Sequence, residues 1–490
     1  MQKRISRRAL LQMSMGLAGA AALAACAPKV VKETVVVEKE VVKEVEKIVK
    51  ETVMVAGTPK VVEKVVKETV VVEKGKDIFQ GDLVLWQPWG TGYEGGAWPF
   101  VAQTKDFPEL HPGVKMTHVW DSTRDKYLAA MAAGNPPDLL LISAPDIPVL
   151  GQRGALMNLD PFIERDNWDM TQYWKMALDQ CSWRGVTYAI THHPDVRVMY
   201  YDQEVMKEAG LDPDKEASSW DDLYEWGMAM SQQKDGRYER FGWVPTWTSN
   251  PWTNHYMVCN GVERLDPDGR RATFNTPEAE EAMAYVVKCT EDICGGRDNV
   301  EEFRQIHATP DGQGPYWMFP YHRTGMLLYG NWLWCPIGIL NPDMPVNLGG
   351  LPGGPSAPGT SHVLHGGTMV SIPTGAKHWE LAWEFLKYMS SQQNGNGVRF
   401  IQECGDDISG NIAEAKSAEA MKFAGRPKMI ALFEDAKAYS YLPSPISHQW
   451  NSEMYRMADK ILLKEQTIPE ALAFSEKEVQ KYLDDYWATA

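Results

Sequence analysis

Tryptophan is the residue type that most narrows the chemistry of this chain. The 490 residues include 19 Trp but only 13 Phe, and an indole ring can stack on a sugar face while its N–H donates a hydrogen bond. Three of these rings stand in a Gly-, Pro- and Asn-rich segment, FGWVPTWTSNPWTNHY, at residues 241–256. The composition therefore indicates recognition of a hydroxyl-rich ligand, and the alternative is that the rings fill the core.

The sequence offers no motif for catalysis. A G-x-S-x-G elbow, an H-E-x-x-H zinc helix and a G-x-x-x-x-G-K-[ST] phosphate loop are all absent. His192 and His193 are the only adjacent histidines, and neighbouring side chains on a strand do not point at one metal. Carboxylates are numerous, but the sequence does not place two of them at the separation that a glycosidase requires. We therefore expect no enzymatic activity, no metal and no cofactor.

Composition limits the class of protein and its partners. A length of 490 residues suits two or three domains, and the hydrophobic and charged contents of 44% and 23% are typical of a soluble globular chain with an ample core. The net charge of −16 argues against a nucleic-acid partner, since such a partner requires a basic surface.

Residues 1–26 are predicted to be an export signal. A basic start precedes an apolar run, residues 10–25, that is too short for a stable membrane span. Residues 6–11, SRRALL, resemble a twin-arginine export motif, and residues 23–26, LAAC, resemble a lipobox. That resemblance implies lipidation of Cys26 and anchoring at the outer face of the bacterial cytoplasmic membrane. The alternative is an ordinary transmembrane anchor.

Residues 27–76 form a low-complexity segment of Val, Lys and Glu. The sequence VVKETVVVEK occurs at residues 30–39 and again at residues 65–74. We interpret the segment as a solvated spacer between membrane and domain. The alternative is a partner-binding coiled coil, because apolar residues recur at helical spacing, although β-branched Val lowers helix propensity.

The stretch at residues 127–163 predicts the architecture of the body. A helical pattern is stopped by GNPP at residues 134–137, because Pro lacks an amide donor and disfavours helical geometry in the residue before it. A short apolar run, DLLLI at residues 138–142, is typical of a strand buried on both faces, and a second helix follows. Such a unit belongs to an open α/β sheet, in which ligands bind beyond the carboxyl ends of the strands.

The order of these motifs resembles the family of extracellular solute-binding proteins that deliver sugars to ABC importers. GNPPD before the strand and GALMNLDPFI after it are similar to recurring family motifs, and further matches follow at residues 107–116, 185–190, 219–223, 324–332 and 365–373. The resemblance covers nearly all of the chain after residue 77, with Thr191 where the family usually has Pro. It implies an α/β periplasmic-binding-protein fold with two hinged, discontinuous lobes: residues 77–195 and 363–410 as lobe 1, and residues 196–362 and 411–490 as lobe 2.

The resemblance also implies candidate ligand residues in lobe 1 and at the hinge. Trp89 and Tyr93 lie in the loop after the first strand, where the family has its first ligand-contacting loop; plain loop packing is the alternative. Asp121 ends the second strand and faces the same side. Asp195 stands at the first crossing between lobes, where an acidic residue accepts hydrogen bonds from sugar hydroxyls. The alternative for Asp195 is a carboxylate bound only to backbone amides.

Further ligand candidates come from lobe 2 and the return crossing. Trp243 and Trp247 lie in a segment that often faces the cleft in this family. Asn331 and Trp332 end a strand that delivers this Trp to the cleft in relatives. Gly367 belongs to a glycine pair that lets a ligand approach backbone amides.

The implied function is capture of a sugar or oligosaccharide and its delivery to a membrane permease. Rival interpretations are a binder for a peptide, a polyamine or glycerol phosphate, and a secreted carbohydrate-active enzyme. An anionic ligand would favour Arg124 or Arg323 pointing into the cleft, whereas a cation would favour carboxylates around an aromatic box.

Six cysteines remain besides Cys26, and export permits disulfides. Six cysteines allow 15 pairings, so the sequence leaves the pairing open; the residues are Cys181, Cys259, Cys289, Cys294, Cys335 and Cys404. A local bridge between Cys289 and Cys294 is one alternative, and buried thiols or redox-silent surface residues are the other.

Overall fold

The computed structural model describes residues 41–55, 58–72, 78–88, 99–120, 122–245, 253–307, 317–390, 408–423, 425–435 and 437–489. The chain divides into two compact units, Met1–Asp77 and Ile78–Ala490. Within the described ranges, no helix combines the length and the apolar character that crossing a membrane requires.

The first unit contains a two-stranded antiparallel ribbon. β1 (Val41–Val55) pairs with β2 (Thr58–Val72), with Val41 opposite Val72 and Val55 opposite Thr58. The structure thus has strands where the coiled-coil alternative requires helices, because β-branched valine favours the extended backbone. The predicted lipidation site, Cys26, lies outside the described residues.

The second unit begins with alternating strands and helices. In chain order these are β3 (Gly81–Trp86), α1 (Pro99–Leu110), β4 (Val114–Val119), α2 (Arg124–Ala132), β5 (Leu139–Ser143), α3 (Asp146–Gln152), α4 (Asp160–Asp166), α5 (Lys175–Asp179), β6 (Ser182–Trp183) and β7 (Val186–Thr187). The helix–strand–helix unit predicted around residues 127–152 is confirmed. Leu139, Leu140, Leu141 and Ile142 are fully buried, as expected for a strand covered on both faces.

A long strand, β8 (Ala189–Asp202), leads into the next group of elements. These are α6 (Gln203–Glu208), α7 (Trp220–Met230), β9 (Gln232–Lys234), β10 (Arg237–Arg240), α8 (Thr253–Cys259), α9 (Pro277–Asp292), α10 (Arg297–His307), β11 (Met326–Gly330), α11 (Trp334–Leu340), β12 (Val346–Gly349) and β13 (Leu351–Pro352). α7 begins with a capping box, because the Ser219 hydroxyl accepts from the Asp222 amide and the Asp222 carboxylate accepts from the Ser219 amide.

A second long strand, β14 (Ser361–Ser371), brings the chain back. The remaining elements are α12 (Trp379–Ser390), α13 (Ile412–Ala415), α14 (Arg426–Asp435), β15 (Lys437–Ser440), α15 (Ser447–Leu462) and α16 (Ile468–Thr489). Short 3₁₀ turns stand at Met170–Gln172, Phe319–Tyr321, Asn331–Leu333 and Ala420–Lys422.

One mixed sheet runs through the second unit in the order β11-β8-β14-β5-β3-β4. The first half of β8 pairs with the second half of β14, which also pairs with β5. The second half of β8 pairs with β11 and β12, and the first half of β14 pairs with β13 and β15. β8 and β14 therefore each pass from one half of the body into the other.

The two halves have separate hydrophobic cores, and we call them lobe 1 and lobe 2. Lobe 1 packs around Leu83, Leu141 and Phe385 on one sheet face and around Leu140 and Ile142 on the other. Lobe 2 packs around α7, α8, α9 and α15. Along β8, Ile190 packs in the lobe 1 core and Val196 packs in the lobe 2 core. Trp174 and Ile408, which the sequence-based boundaries assign to lobe 1, pack with the lobe 2 core.

Candidate functional site

Strand directions define which edges of the lobes face each other. β3, β4 and β5 are parallel, so their carboxyl ends lie at one edge of lobe 1. Ser143 at the end of β5 pairs with Thr368, and β14 extends beyond it into lobe 2. In lobe 2, Gly330 at the end of β11 pairs with Arg197 on β8. Residues that follow these strand ends therefore lie where the lobes meet, the usual place for a ligand in an open α/β sheet.

Trp332 lies at the lobe 2 side of this meeting point. Its half-buried ring packs against the lobe 2 core and stands edge-on to Tyr329, with ring centroids 5.4 Å apart. A Cβ atom at Gly330 would come within 2.0 Å of the indole, so only glycine lets the ring fold over the strand end. The family motif thus delivers Trp332 to the inter-lobe edge.

Asp195 forms an ion pair with Arg197 two residues further along β8. The Asp195 Oδ1 to Arg197 Nη1 distance is 2.6 Å, and the two side chains are 15% and 10% exposed. Burial alone would lower the pKa of Arg197, but the Asp195 carboxylate outweighs it and holds this pKa above its ordinary value. Asp195 is therefore bound to a side-chain cation, unlike the backbone-bound alternative.

Tyr441 and Trp332 flank the Arg197 guanidinium. The guanidinium carbon is 4.9 Å from the Trp332 ring centroid and 5.1 Å from that of Tyr441. Burial raises the pKa of Tyr441, so its hydroxyl stays protonated and can donate. Such an arrangement presents two aromatic rings with an ion pair between them, a surface suited to a ligand with an apolar face and polar edges.

A cavity of about 270 Å³ adjoins this cluster and is lined from both lobes. Lobe 1 contributes Ala144, Pro145 and Pro148 after β5 and residues at the end of α5. The opposite wall is the segment Tyr439–Pro443 that follows β15. Tyr441 therefore belongs both to the aromatic cluster and to the cavity wall. A cavity of this size suits a single small ring rather than a drug-sized ligand.

Two predicted ligand residues have structural roles in this structure. The Asn331 side chain is fully buried, and its Oδ1 accepts a hydrogen bond of 2.9 Å from the Val196 amide, which ties the end of β11 to β8. Gly367 has a φ of 149°, and a Cβ there would lie 2.7 Å from the His193 carbonyl. Its neighbour Gly366 leaves room for the Asp195 carboxylate, since a Cβ would lie 2.4 Å from Oδ1. The glycine pair thus permits strand packing around the ion pair.

The expectation for Trp243 does not fit its place in the structure. The ring is 0% exposed and lies in the lobe 2 core, where the Cys294 thiol donates to the Trp243 carbonyl oxygen at 3.5 Å. A ligand cannot reach the ring here, so we leave Trp243 out of the site. The irregular Gly- and Pro-rich sequence gave no periodicity from which to choose the inward-facing ring.

Four predicted residues lie outside the described residues: Trp89, Tyr93, Asp121 and Trp247.

The described residues near Asp121 are aromatic and polar. Trp120 stacks on His118, with ring centroids 4.0 Å apart, and His118 Nε2 lies 2.9 Å from Gln87 Oε1. Burial lowers the pKa of His118 to about 4, so this ring is neutral at physiological pH.

Asp146 and His448 form a contact that no motif of the sequence predicts. Asp146 begins α3 just beyond β5, and its Oδ1 lies 2.8 Å from His448 Nε2 on α15. The same carboxylate accepts from Tyr127 and from the Ser143 amide. Its position after the carboxyl end of a buried strand is a signal that could have marked Asp146, whereas no local pattern marks His448 or Tyr441.

Three buried histidines line the crossing strands and are uncharged at neutral pH. His192 and His193 have their Nδ1 atoms 2.9 Å apart, so one ring donates and the other accepts. Burial lowers the pKa of His193 to about 4, against a smaller opposite effect of Asp195, and lowers the pKa of His192 well below its ordinary value. His365 stacks on Phe433 at 4.2 Å, and burial lowers its pKa to about 3.

Replacing His365 with Phe is expected to flatten the acid dependence of stability. The unfolded chain binds a proton at this histidine near pH 6.5, whereas the folded chain binds it near pH 3. The contribution of this group to the free energy of unfolding is therefore fully present above pH 6.5. It falls as the pH is lowered, by about 3 kcal/mol between pH 7 and pH 4. Urea denaturation at both pH values measures the change.

A His365→Gln variant is the matched control for that measurement. Neither ring nitrogen of His365 has a hydrogen-bond partner in the part of the chain that the structure describes. Gln does not titrate but keeps a buried polar group, so it is expected to flatten the dependence while remaining less stable than the Phe variant. An unchanged acid dependence in both variants would contradict the assignment.

The described cysteines are free thiols: Cys181, Cys259, Cys289, Cys294 and Cys335. The bridge considered between Cys289 and Cys294 is therefore not formed, and burial raises the pKa of Cys289 to about 12. Cys404 lies outside the described residues. Within the same ranges, no group of three or more His, Cys, Asp or Glu side chains is arranged to hold a metal ion.

Comparisons with known proteins agree with this architecture. A family model described as bacterial extracellular solute-binding protein matches residues 89–396. The diacetylchitobiose binding protein DasA of Streptomyces coelicolor is 25% identical over 342 residues, which cover 67% of this chain and 74% of that protein. The arabinooligosaccharide-binding protein of Bacillus subtilis is 24% identical over 317 residues, which cover 61% of this chain and 67% of that protein.

Solved structures confirm the two-lobed α/β periplasmic-binding-protein fold. CpMnBP1 with mannobiose bound has a TM-score of 0.70 and 21% identity and covers 81% of this chain and 99% of its own. The maltose/maltodextrin-binding domain MalE from Bdellovibrio bacteriovorus, bound to maltotriose, has a TM-score of 0.67 and 16% identity and covers 82% of this chain and 100% of its own. At these identities the likeness establishes the fold alone.

Proposed function

Because the chain belongs to the family of bacterial extracellular solute-binding proteins, we propose that it is the extracytoplasmic binding component of an ABC importer. It captures a sugar or oligosaccharide between its lobes and delivers it to the membrane permease. The similar proteins are named for binding diacetylchitobiose and arabinooligosaccharide, and these names support a carbohydrate ligand. The observation that carries the proposal is the pair of aromatic rings around an ion pair at the meeting of the lobes.

Each group of this cluster has a role that suits a sugar. Trp332 and Tyr441 offer ring faces to the apolar C–H face of a pyranose. Arg197 lies between them and Asp195 is bound to it, so the pair supplies a donor and an acceptor for hydroxyl groups at the sugar edge. Trp89, Tyr93, Asp121 and Trp247 are proposed to complete the lining.

Capture proceeds by hinge closure without a reaction. β8 and β14 connect the lobes, so a small change in their backbone angles moves one lobe against the other. A ligand held by both lobes favours the closed state because it contacts both walls only there. The protein is tethered by lipid chains on Cys26, which keep it at the outer face of the cytoplasmic membrane near the permease.

A thermal-shift screen of the full chain tests this function. A ligand present at about 100 times its Kd stabilises the folded state by about 2.7 kcal/mol, so one or more mono- or oligosaccharides are expected to raise the Tm. The panel also contains peptides, polyamines and glycerol phosphate. A shift with one of these solutes and with no saccharide would contradict the proposal, as would release of products from a bound saccharide.

A further inference from the structure

Lobe 1 and lobe 2 contact each other through side chains that do not belong to the crossing strands. Asp146 begins α3, whose Ile147 and Leu150 lie in the lobe 1 core. His448 lies in the first turn of α15, whose Trp450 lies in the lobe 2 core. The 2.8 Å distance between Asp146 Oδ1 and His448 Nε2 therefore joins the two lobes. A hinge motion that separates the lobes at this point breaks the contact.

The lobe 1 side of this contact is fixed in position. The Asp146 side chain is 11% exposed, and its carboxylate accepts from the Tyr127 hydroxyl and from the Ser143 amide, each at 3.3 Å. Burial, and after it the Asp146 charge, raises the pKa of Tyr127, so this hydroxyl keeps its proton and donates. Asp146 also follows the carboxyl end of β5, the edge of the sheet that faces the gap between the lobes.

A second contact between the lobes surrounds Arg184, in the turn between β6 and β7. Its guanidinium carbon is 5.6 Å from the ring centroid of Trp183 and 4.7 Å from that of Trp487. Trp183 packs against the lobe 1 core, and its Nε1 donates to Gln152 Oε1 at 3.1 Å. Trp487 packs against the lobe 2 core, and its Nε1 donates to the Gly269 carbonyl oxygen at 3.1 Å. Arg184 thus makes a cation–π contact with one fixed indole of each lobe.

The two contacts join the same pair of surfaces. In lobe 1, α3 packs against β6, and in lobe 2, α15 packs against α16. A short loop, residues 463–467, connects α15 to α16, so the helices are antiparallel neighbours. His448 near the start of α15 and Trp487 near the end of α16 therefore lie at one end of this helix pair. In lobe 1, the chain just before each contact, at Pro145 and Ser182, lines the inter-lobe cavity.

We propose that these two contacts form a clasp that holds the lobes together before a saccharide binds. Contacts that exist only when the gap is narrow lower the free energy of the closed conformation relative to the open one. The clasp thereby raises the fraction of the unliganded chain that is ready to bind, and the apparent Kd falls as this fraction rises. This inference rests on the proposed hinge closure and assigns to it residues of both lobes outside the aromatic cluster.

Hydrogen exchange and small-angle X-ray scattering of the full chain without saccharide test the clasp. In the His448→Ala variant, the amides of residues 143–150 and 439–448 are expected to exchange about three- to tenfold faster, because a hydrogen bond that opposes opening is lost. The radius of gyration is expected to increase. Arg184→Ala is expected to accelerate the same amides about two- to fivefold, and the double variant more than either single variant.

His378→Ala is the matched control. His378 Nδ1 lies 3.4 Å from Asp138 Oδ1, with side chains 40% and 6% exposed, but Asp138 precedes β5 and His378 precedes α12, so both belong to lobe 1. This variant loses a histidine–aspartate contact within one lobe and is expected to leave the scattering and the exchange of both segments unchanged. Exchange in α9 reports global unfolding and is expected to stay unchanged in every variant.

Unchanged exchange and scattering in both His448→Ala and Arg184→Ala would overturn the clasp, as would an equal increase in His378→Ala. Arg184 is exposed, so Arg184→Ala decides the question if His448→Ala does not fold. These measurements contain no saccharide and are therefore independent of the thermal-shift screen. A screen in which no saccharide binds would refute the proposed function alone, whereas saccharide binding with unchanged clasp variants would refute the clasp alone.

Discussion

Replacing Arg197 with Met is expected to lower the free energy of unfolding by about 3 to 5 kcal/mol and to abolish saccharide binding. The substitution leaves the Asp195 carboxylate, whose side chain is 15% exposed, without its cation. Gly366 brings the β14 backbone against the same carboxylate, so the side chain has little room to turn toward water. Urea denaturation and calorimetric titration measure the two effects.

Two further variants make this result specific to the buried pair. A double variant with Asp195→Asn and Arg197→Met removes both charges, so it is expected to recover most of the stability but none of the binding. Arg297→Met breaks an exposed ion pair with Asp459, whose side chain is 51% exposed, and is expected to cost less than about 1 kcal/mol. An Arg197→Met variant as stable as Arg297→Met would contradict the structural role of the pair.

Replacing Trp332 with Ala is expected to raise the Kd for the saccharide about 10- to 100-fold, with a smaller effect on stability. Covering an aromatic ring with an apolar ligand face contributes about 1.5 to 3 kcal/mol, which corresponds to that range in affinity. The ring is only half-buried before ligand binds, so the unliganded protein loses less packing. Calorimetric titration gives the change in Kd.

Trp379→Ala is the matched control for this experiment. Trp379 begins α12 and packs against Phe162, with ring centroids 5.2 Å apart, beside the lobe 1 core. Its removal is expected to leave the Kd unchanged. Trp332→Phe keeps a ring of smaller area and is expected to lose only part of the affinity. Wild-type affinity in the Trp332→Ala variant would show that the ring does not contact the ligand.

Local sequence patterns were sufficient to predict the elements that carry the site. The turn GNPP followed by five residues of apolar strand predicted β5, because proline and burial act within a few residues of the chain. The capping box at Ser219 and the proline at the start of α9 are likewise local features of the sequence. The motif ending in Trp332 identified a ring that the structure places beside Arg197.

Residues whose surroundings come from distant parts of the chain were less predictable. The side-chain oxygen of Asn331 accepts a hydrogen bond from the amide of Val196, which is 135 residues away. Gly366 on β14 leaves room for the Asp195 carboxylate on β8. Trp243 and Trp247 looked equivalent because both stand in an irregular segment, but the core of lobe 2 encloses Trp243. Which ring is enclosed depends on how helices pack, and single-sequence periodicity does not record that.

The partners of the site that follow β15 had no local signal at all. Tyr441 and His448 follow β15 and are brought to lobe 1 by the parallel pairing of β15 with β14. Arg197 was within reach of sequence reasoning, because residues two apart on a strand share a face with each other.

A crystal structure of the full chain with a bound saccharide is the most direct test that this protein captures sugars between its lobes. We expect the sugar ring to lie against the indole of Trp332, with hydroxyl groups within hydrogen-bond distance of Asp195 and Arg197. A saccharide bound elsewhere on the surface, or an indole of Trp332 that turns into the lobe 2 core away from the ligand, would contradict the account.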